Sequence, residues 1–110
     1  SGTLKDSEQN IVVEVNKCKK AFEDAMDDDF NTAFAVAAIF DLVKAANTYA
    51  NEESSADILK FLADTIVTLC GVLGRKNFLT AISKNLLKKE LLQERIRISQ
   101  ELMKSEMSLK

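Results

Sequence analysis

Apolar side chains return every three or four residues near the start of the chain, which predicts an amphipathic helix. Five of them form one stripe: Ile11, Val15, Cys18, Phe22 and Ala25. Steps of four and three residues place side chains on one face of an α-helix, and the charged residues of this segment fall mostly off that face. We therefore expect a first helix here, with its apolar stripe in a protein core.

A second helix is predicted from about Thr32 to Ala50, and it is apolar over most of its circumference. Only Asp41, Lys44 and Thr48 mark a narrow polar face. A helix of this kind is typically buried by partners on two sides. We therefore expect it to be the central helix of the fold.

A third helix is predicted after the polar segment 51–55, where Ser54 and Asp57 have the spacing of a capping box. Its apolar stripe consists of Leu59, Leu62, Ile66, Leu69 and Leu73. Gly74 is placed to end the helix as a C-terminal cap. Gly71 costs about 1 kcal/mol relative to alanine inside a helix, and we expect close helix packing to compensate for it.

The last predicted helix runs from near Ser83 to about Lys104, with two apolar stripes and a surface that mixes both charge signs. The chain holds no proline and only three glycines, which disfavours strands and tight turns. Four helices with short links predict an all-α fold, specifically an antiparallel four-helix bundle.

The corner between the first two helices is the most informative stretch of the sequence. It comprises Met26, Asp27, Asp28, Asp29, Phe30, Asn31 and Thr32, called the corner motif below. Asn31 and Thr32 are good N-cap residues, and acidic side chains are favourable beside the positive end of a helix. Phe30 directly precedes the cap, where it would pack back on the new helix. The motif therefore predicts a helix–corner–helix unit.

Three consecutive aspartates are also compatible with a Mg²⁺ or Ca²⁺ site, but their side chains diverge at a helix junction and the glycine of an EF-hand loop is missing. With no histidine in the chain and only Cys18 and Cys70 as thiols, a zinc site has almost no ligands. We expect no metal or cofactor in this chain. Both cysteines fall on apolar stripes and are expected to be buried and reduced; a disulfide between them depends on geometry that spacing leaves open.

The length of 110 residues fits one domain. We expect residues 1–9 to be a mobile lead that includes a remnant of an expression tag, and residues 10–110 to form the domain. No apolar run approaches the ~20 residues of a membrane span, so no membrane partner is expected.

Charge divides the chain into an acidic and a basic half. Residues 1–57 hold five lysines and twelve acids, a net of −7, whereas residues 58–110 hold ten bases and five acids, a net of +5. The overall net charge of −2 is unlike that of a dedicated nucleic-acid module. Lys84, Lys88 and Arg95 are spaced to share one face of the last helix and are the candidate phosphate contacts, although the pattern favours a solvated surface of mixed charge over that role.

The corner motif and its flanks resemble a known family. Phe22–Thr32 is similar to the "F-x-x-A-M-D-D-D-F-N-T" start of the DALR helical domain of cysteinyl-tRNA synthetases, class I aminoacyl-tRNA synthetases. Residues 31–47 resemble the family's following helix, which ends in asparagine, here Asn47. Weaker likenesses at residues 69–74 and 90–95 extend the match over roughly residues 18–97, while Ser99 stands where the family has a second arginine.

This resemblance implies a piece of a larger cytoplasmic ligase that joins cysteine to tRNA(Cys). In that family the catalytic domain uses ATP with Mg²⁺ and carries a zinc, and the helical domain braces the catalytic domain of the same chain and contacts tRNA. The chain itself would be non-catalytic and monomeric, and it would bind tRNA weakly or not measurably. Two alternatives stay open: the equivalent domain of a mycothiol-pathway cysteine ligase, and a free-standing helical protein-interaction module.

Overall fold

The structure, a computed structural model, describes residues 6–28, 31–51, 54–75 and 77–108. Regular structure within these ranges is helical throughout, which confirms the all-α class for the described residues. The elements in chain order are α1 (Asp6–Asp27), α2 (Thr32–Tyr49), α3 (Ala56–Leu73), α4 (Phe78–Ala81), a π-helical turn (Ile82–Leu86) and α5 (Glu90–Ser108).

α1 and α2 form a closely packed hairpin, as the corner motif predicts. Asn31 caps α2, and its side-chain oxygen accepts a hydrogen bond from the N–H of Phe34 at 3.4 Å. The N–H of Asn31 donates to the carbonyl of Ala25 at 2.9 Å, which ties the start of α2 to the end of α1. Asp29 and Phe30 lie outside the described residues, so the packing role expected of Phe30 stays a prediction.

α3, rather than α2, is the central helix. It packs against α1, α2, α4 and α5, and nine of its residues are buried. On α2, in contrast, Phe34 is 67% exposed and Phe40 is 44% exposed. α2 still has partners on two sides, α1 and α3, as predicted, but its apolar surface around Phe34 and Phe40 stays partly exposed.

Of the two caps predicted for α3, the C-terminal one is confirmed and the N-terminal one was wrong. Gly74 ends the helix in the left-handed conformation, with φ 75°. At the start, Ser55 is the N-cap, and the hydroxyl of Ser54 instead accepts from the N–H of Asn51 at 2.8 Å within the preceding loop. Gly71 is exposed and a Cβ there would meet nothing within 4 Å, so the expected close packing at Gly71 is absent.

The last predicted helix is interrupted. Instead of running on from Ser83, the chain makes the π-helical turn, passes through an extended link at residues 87–89 and starts α5 at Glu90. α5 packs mainly on α3 and has no comparable packing on α1 or α2 in the described ranges. An antiparallel four-helix bundle in the strict sense is therefore not confirmed.

The first helix begins earlier than expected. Asp6–Asn10 belong to α1, and Glu8 is buried and hydrogen-bonded to the side chain of Tyr49 at the far end of α2. Burial raises the pKa of the Tyr49 phenol, and the charge of Glu8 raises it further. α1 therefore begins before residue 10, where the domain was expected to start, and the tag remnant and mobile lead stay a prediction.

Both cysteines are buried free thiols in the core, as predicted. The core is one cluster that all the long helices share, with Phe22, Ile39, Leu62, Ile66 and Ile96 among its most buried members. None of the helices in the described part of the chain is both long and apolar enough to cross a membrane.

Candidate functional site

The break before α5 creates the most unusual backbone among the described residues. The N–H of Leu87 donates to the carbonyl of Ile82 at 2.9 Å, a bond over five residues that defines the π-helical turn. Leu87 itself is extended, with ψ 122°, and its side chain is buried. π-turns are frequently found at functional sites. Because Lys84, Lys88 and Lys89 all project from this stretch, residues 84–89 are called the basic link below.

Side chains from two helices satisfy the backbone of the basic link. The amide nitrogen of Asn47 on α2 donates to the carbonyl of Leu86 at 2.9 Å, and its oxygen accepts from the N–H of Lys88 at 3.0 Å. On the other side, the amide nitrogen of Gln93 on α5 donates to the carbonyl of Leu87 at 2.8 Å. Residues 87–89 of the basic link are therefore not helical, but side chains from α2 and α5 fix the backbone of this segment in place.

The structure separates Lys84 from Lys88. Lys84 lies on the π-helical turn and lines an open groove of about 700 Å³ that also contains Glu90, Glu94 and Arg97. Lys88 follows the turn and lines a different groove of about 400 Å³ between α2 and the link. Both side chains are exposed, but they do not share a helical face with Arg95, because the helix that would align them is broken.

Arg95 is already engaged within the fold. One of its terminal nitrogens donates to the carbonyl of Ala56 in the first turn of α3 at 3.3 Å, and the residue is only partly exposed. This bond joins α5 to α3. Lys89 was not among the candidate phosphate contacts, but it is exposed next to Lys88. Its place beside Lys88 in the sequence could have suggested it.

Arg97 also lines the 700 Å³ groove that contains Lys84, and it pairs with Glu94. Its Nε donates to Glu94 at 3.2 Å, and this hydrogen bond together with the charge of Arg97 lowers the pKa of Glu94. Lys84, Glu90, Glu94 and Arg97 together give the lining of this groove no net charge. Lys88 and Lys89 of the basic link lie outside the groove and are exposed.

The corner motif is a structural element over the part of it that the structure describes. Met26 is half-buried against the core, and Asp27 and Asp28 are exposed at the end of α1. In the described ranges, no three Cys, Asp or Glu side chains converge on a point that would hold a metal ion.

Comparison with known proteins shows which family the chain belongs to. The model of the DALR domain matches residues 21–75, half of the chain, and covers the corner motif, α2 and α3. The chain belongs to the DALR domain family. No solved structure matches it significantly.

Curated relatives of this DALR domain are cysteine–tRNA ligases. The chain is 46% identical over 74 residues to the enzyme of Lachnoclostridium phytofermentans and 42% identical over 73 residues to that of Lachnospira eligens. It is 40% identical over 75 residues to the enzyme of Bacillus velezensis. Each match covers about two thirds of this chain (66–67%) and 16% of the relative, so the chain corresponds to a small part of those enzymes.

Proposed function

We propose that this DALR domain is the helical tRNA-positioning part of a cytoplasmic ligase that joins cysteine to tRNA(Cys). The observation that carries the proposal is the 46% identity to a cysteine–tRNA ligase across the DALR region. Under this proposal the domain contributes no reacting group. ATP, Mg²⁺ and zinc act elsewhere in the ligase, and the domain braces the catalytic part of the same chain.

The proposed tRNA-facing element is the basic link. Lys84, Lys88 and Lys89 are exposed, and none has an ion-pair partner within the part of the chain that the structure describes. Ammonium groups bind phosphate as point charges, and such contacts position a nucleic acid without reading its sequence. Asn47 and Gln93 fix the backbone that carries these lysines, so the cost of ordering a flexible loop is avoided on binding.

The proposal predicts weak, salt-dependent binding by the isolated domain. Three lysines neutralise few phosphates, so we expect a dissociation constant in the range of non-specific complexes, about 10⁻⁴–10⁻⁶ M. Fluorescence anisotropy of labelled tRNA(Cys), titrated with the domain at several salt concentrations, measures both the affinity and its salt slope. Nanomolar binding that ignores salt, or no binding at the lowest salt, would contradict the proposal.

A matched pair of double variants tests the assignment of the surface. Lys84→Gln with Lys88→Gln removes two positive charges from the basic link, and Lys17→Gln with Lys20→Gln removes two from α1. We expect the first pair to reduce the salt slope by about 2 and to weaken binding several-fold, because each lost phosphate contact changes the slope by about one. Equal effects of the two pairs would show only a general dependence on net charge.

The monomeric state and the alternative of an interaction module are tested together. A monomer is expected because the described core is closed around α3 within one chain. Light scattering at increasing concentration measures the mass directly. A stable dimer would favour the interaction module over the tRNA-positioning role.

A further inference from the structure

The outer side of the α1–α2 hairpin, away from α3, forms a continuous groove. Two adjoining depressions of about 350 and 640 Å³ follow the seam between the helices and meet at Asp41. On α2 the groove extends from Phe34 to Tyr49, a rise of ~22 Å at 1.5 Å per residue, which equals about four helical turns. We call it the outer groove.

Five alanines are among the residues that line the outer groove. The alanines that line it are Ala21, Ala25, Ala37, Ala38 and Ala45. At one end Phe34 stands 67% exposed, and Phe40, 44% exposed, lies on the adjacent face with its ring 5.9 Å from that of Phe78. A long channel with a small-residue floor admits the apolar face of a helix, and an exposed aromatic ring at its end supplies an anchor for it.

Carboxylates surround this apolar floor. Asp24, Asp28, Asp41 and Glu14 line the groove, and Lys44 is the only cation among its described lining residues. Lys20 pairs with Asp24 at 3.5 Å, whereas Asp28 and Asp41 have no ion-pair partner among the described residues. The electrostatic complement of this surface is therefore a positively charged one.

The same charges exclude two other occupants. A tRNA backbone would place phosphates beside unpaired carboxylates, which repel it. A second copy of the chain docked symmetrically would bring like charges together, since an isologous interface repeats the same patch on both partners. A protein helix with basic margins avoids both penalties.

We propose that the outer groove binds a protein helix of about four turns that is apolar along its centre and carries Lys or Arg at its margins. Under the proposed function, on which this last assignment rests, the helix belongs to another part of the same ligase; the relatives are several times longer than this chain and so contain ample further sequence. The domain then has two opposed surfaces: the outer groove for protein and the basic link for tRNA.

Two synthetic 15-residue helical peptides test the groove directly. Both carry Leu and Ala on one face; one has Lys at the margins of that face, and the other has Glu at the same places. Titration of the ¹⁵N-labelled chain with each peptide gives affinities and locates the contacts. We expect the Lys peptide to bind at least tenfold more tightly, with shifts at Phe34, Ala37, Asp41 and Ala45. Equal binding of the two peptides, or shifts outside the groove, would overturn the proposal.

Variants separate the groove from general hydrophobic binding. Phe34→Ser is expected to weaken the Lys peptide at least fivefold, whereas Val72→Ser, at a 57% exposed position on α3, should leave its affinity unchanged. Asp28→Asn with Asp41→Asn should weaken the Lys peptide and not the Glu peptide. Equal losses at Phe34 and Val72 would overturn the assignment.

A competition with tRNA(Cys) keeps the two proposals distinct. Retained peptide binding in the presence of saturating tRNA supports separate surfaces, and displacement of the peptide by tRNA overturns them. Peptide binding without any tRNA binding would contradict the proposed function and support the outer groove as a binding site. Binding of tRNA without binding of the peptide would contradict the groove proposal and support the proposed function.

Discussion

Asn47 and Lys88 are 41 residues apart in the chain, yet the side-chain oxygen of Asn47 accepts the backbone N–H of Lys88 at 3.0 Å. The same side chain donates to the carbonyl of Leu86 at 2.9 Å, so it replaces both partners that a neighbouring strand or helical turn would otherwise supply. One amide thus holds a non-helical segment against α2. The position of the basic link depends on this contact.

Replacement of Asn47 by alanine should destabilise the domain. Both backbone groups lose their partner, and we expect the free energy of unfolding to fall by about 1–2 kcal/mol. Urea denaturation measures the loss, and amide exchange at Lys88 should accelerate as well. Thr48→Ala is the matched control on the next residue, because the hydroxyl of Thr48 donates to the carbonyl of Lys44 within the same helix rather than to the link. A loss as large for Thr48→Ala would contradict the role of the clamp.

The two glycines near the end of α3 should respond to alanine in opposite directions. Gly71 lies in the helix with open space around it, so Gly71→Ala should raise the free energy of unfolding by about 0.5–1 kcal/mol. Gly74 has φ 75°, which costs an L-residue roughly 1–2 kcal/mol, so Gly74→Ala should lower it by a similar amount. Thermal unfolding of the two variants and the parent chain checks the sign of each.

Stability should decline in the alkaline range because of Cys70. Burial raises the pKa of its thiol from 9.0 to about 11, so the unfolded chain loses this proton first as the pH rises. The contribution of the protonated thiol is complete below pH 9 and is lost between pH 9 and pH 11, which amounts to about 3 kcal/mol. Urea unfolding at pH 8, 9, 10 and 11 measures the slope.

Comparison with Cys70→Ala isolates this effect from that of Tyr49, whose pKa burial also raises. The variant is less stable at every pH because a cavity forms, but its decline above pH 9 should be shallower than that of the parent chain. Parallel curves for the two proteins would show that Cys70 does not contribute. Cys18, whose pKa burial and the nearby Glu14 also raise, contributes in the same direction to both proteins.

Arg95 and Arg97 offer a further matched pair on α5. Arg95 reaches the carbonyl of Ala56 on α3, whereas Arg97 pairs with an exposed carboxylate on its own helix. Arg95→Met should therefore cost about 0.5–1 kcal/mol, and Arg97→Met should change the stability little, as is usual for a surface ion pair. Denaturant unfolding of both variants measures these two changes. Equal losses in the free energy of unfolding would argue against the contact of Arg95 with α3.

Local periodicity predicted three of the long helices because their burial follows from one continuous stripe. The corner motif added the hairpin, since Asn31 meets the requirement of an N-cap wherever the chain turns. Gly74 was equally predictable, because only a residue that tolerates positive φ ends a helix in this way. These are short-range effects, encoded within a few residues of where they act.

The misassigned features depend on contacts between distant segments. The apolar repeat continues through residues 83–92, but a π-helical turn adds a residue and changes which side chains face the core. Lys84, Lys88 and Arg95 were grouped on the assumption of an unbroken helix, and the break separates them. Likewise, the sequence shows that α2 is apolar on most sides. It does not show that Phe34 stays exposed in the folded chain. The clamp from Asn47 to the link is invisible to any local pattern.

The attachment of α5 has a mechanical consequence. This helix packs on α3, and Gln93 and Arg95 in its first turns bond to the basic link and to α3. Asn47 holds the segment just before it, while Leu102 nearer its end is 56% exposed. Regions with few buried contacts open at a lower free energy than the rest of a protein. We expect local unfolding of α5 to begin at its C-terminal end and to proceed toward Asn47, while the first three helices stay folded.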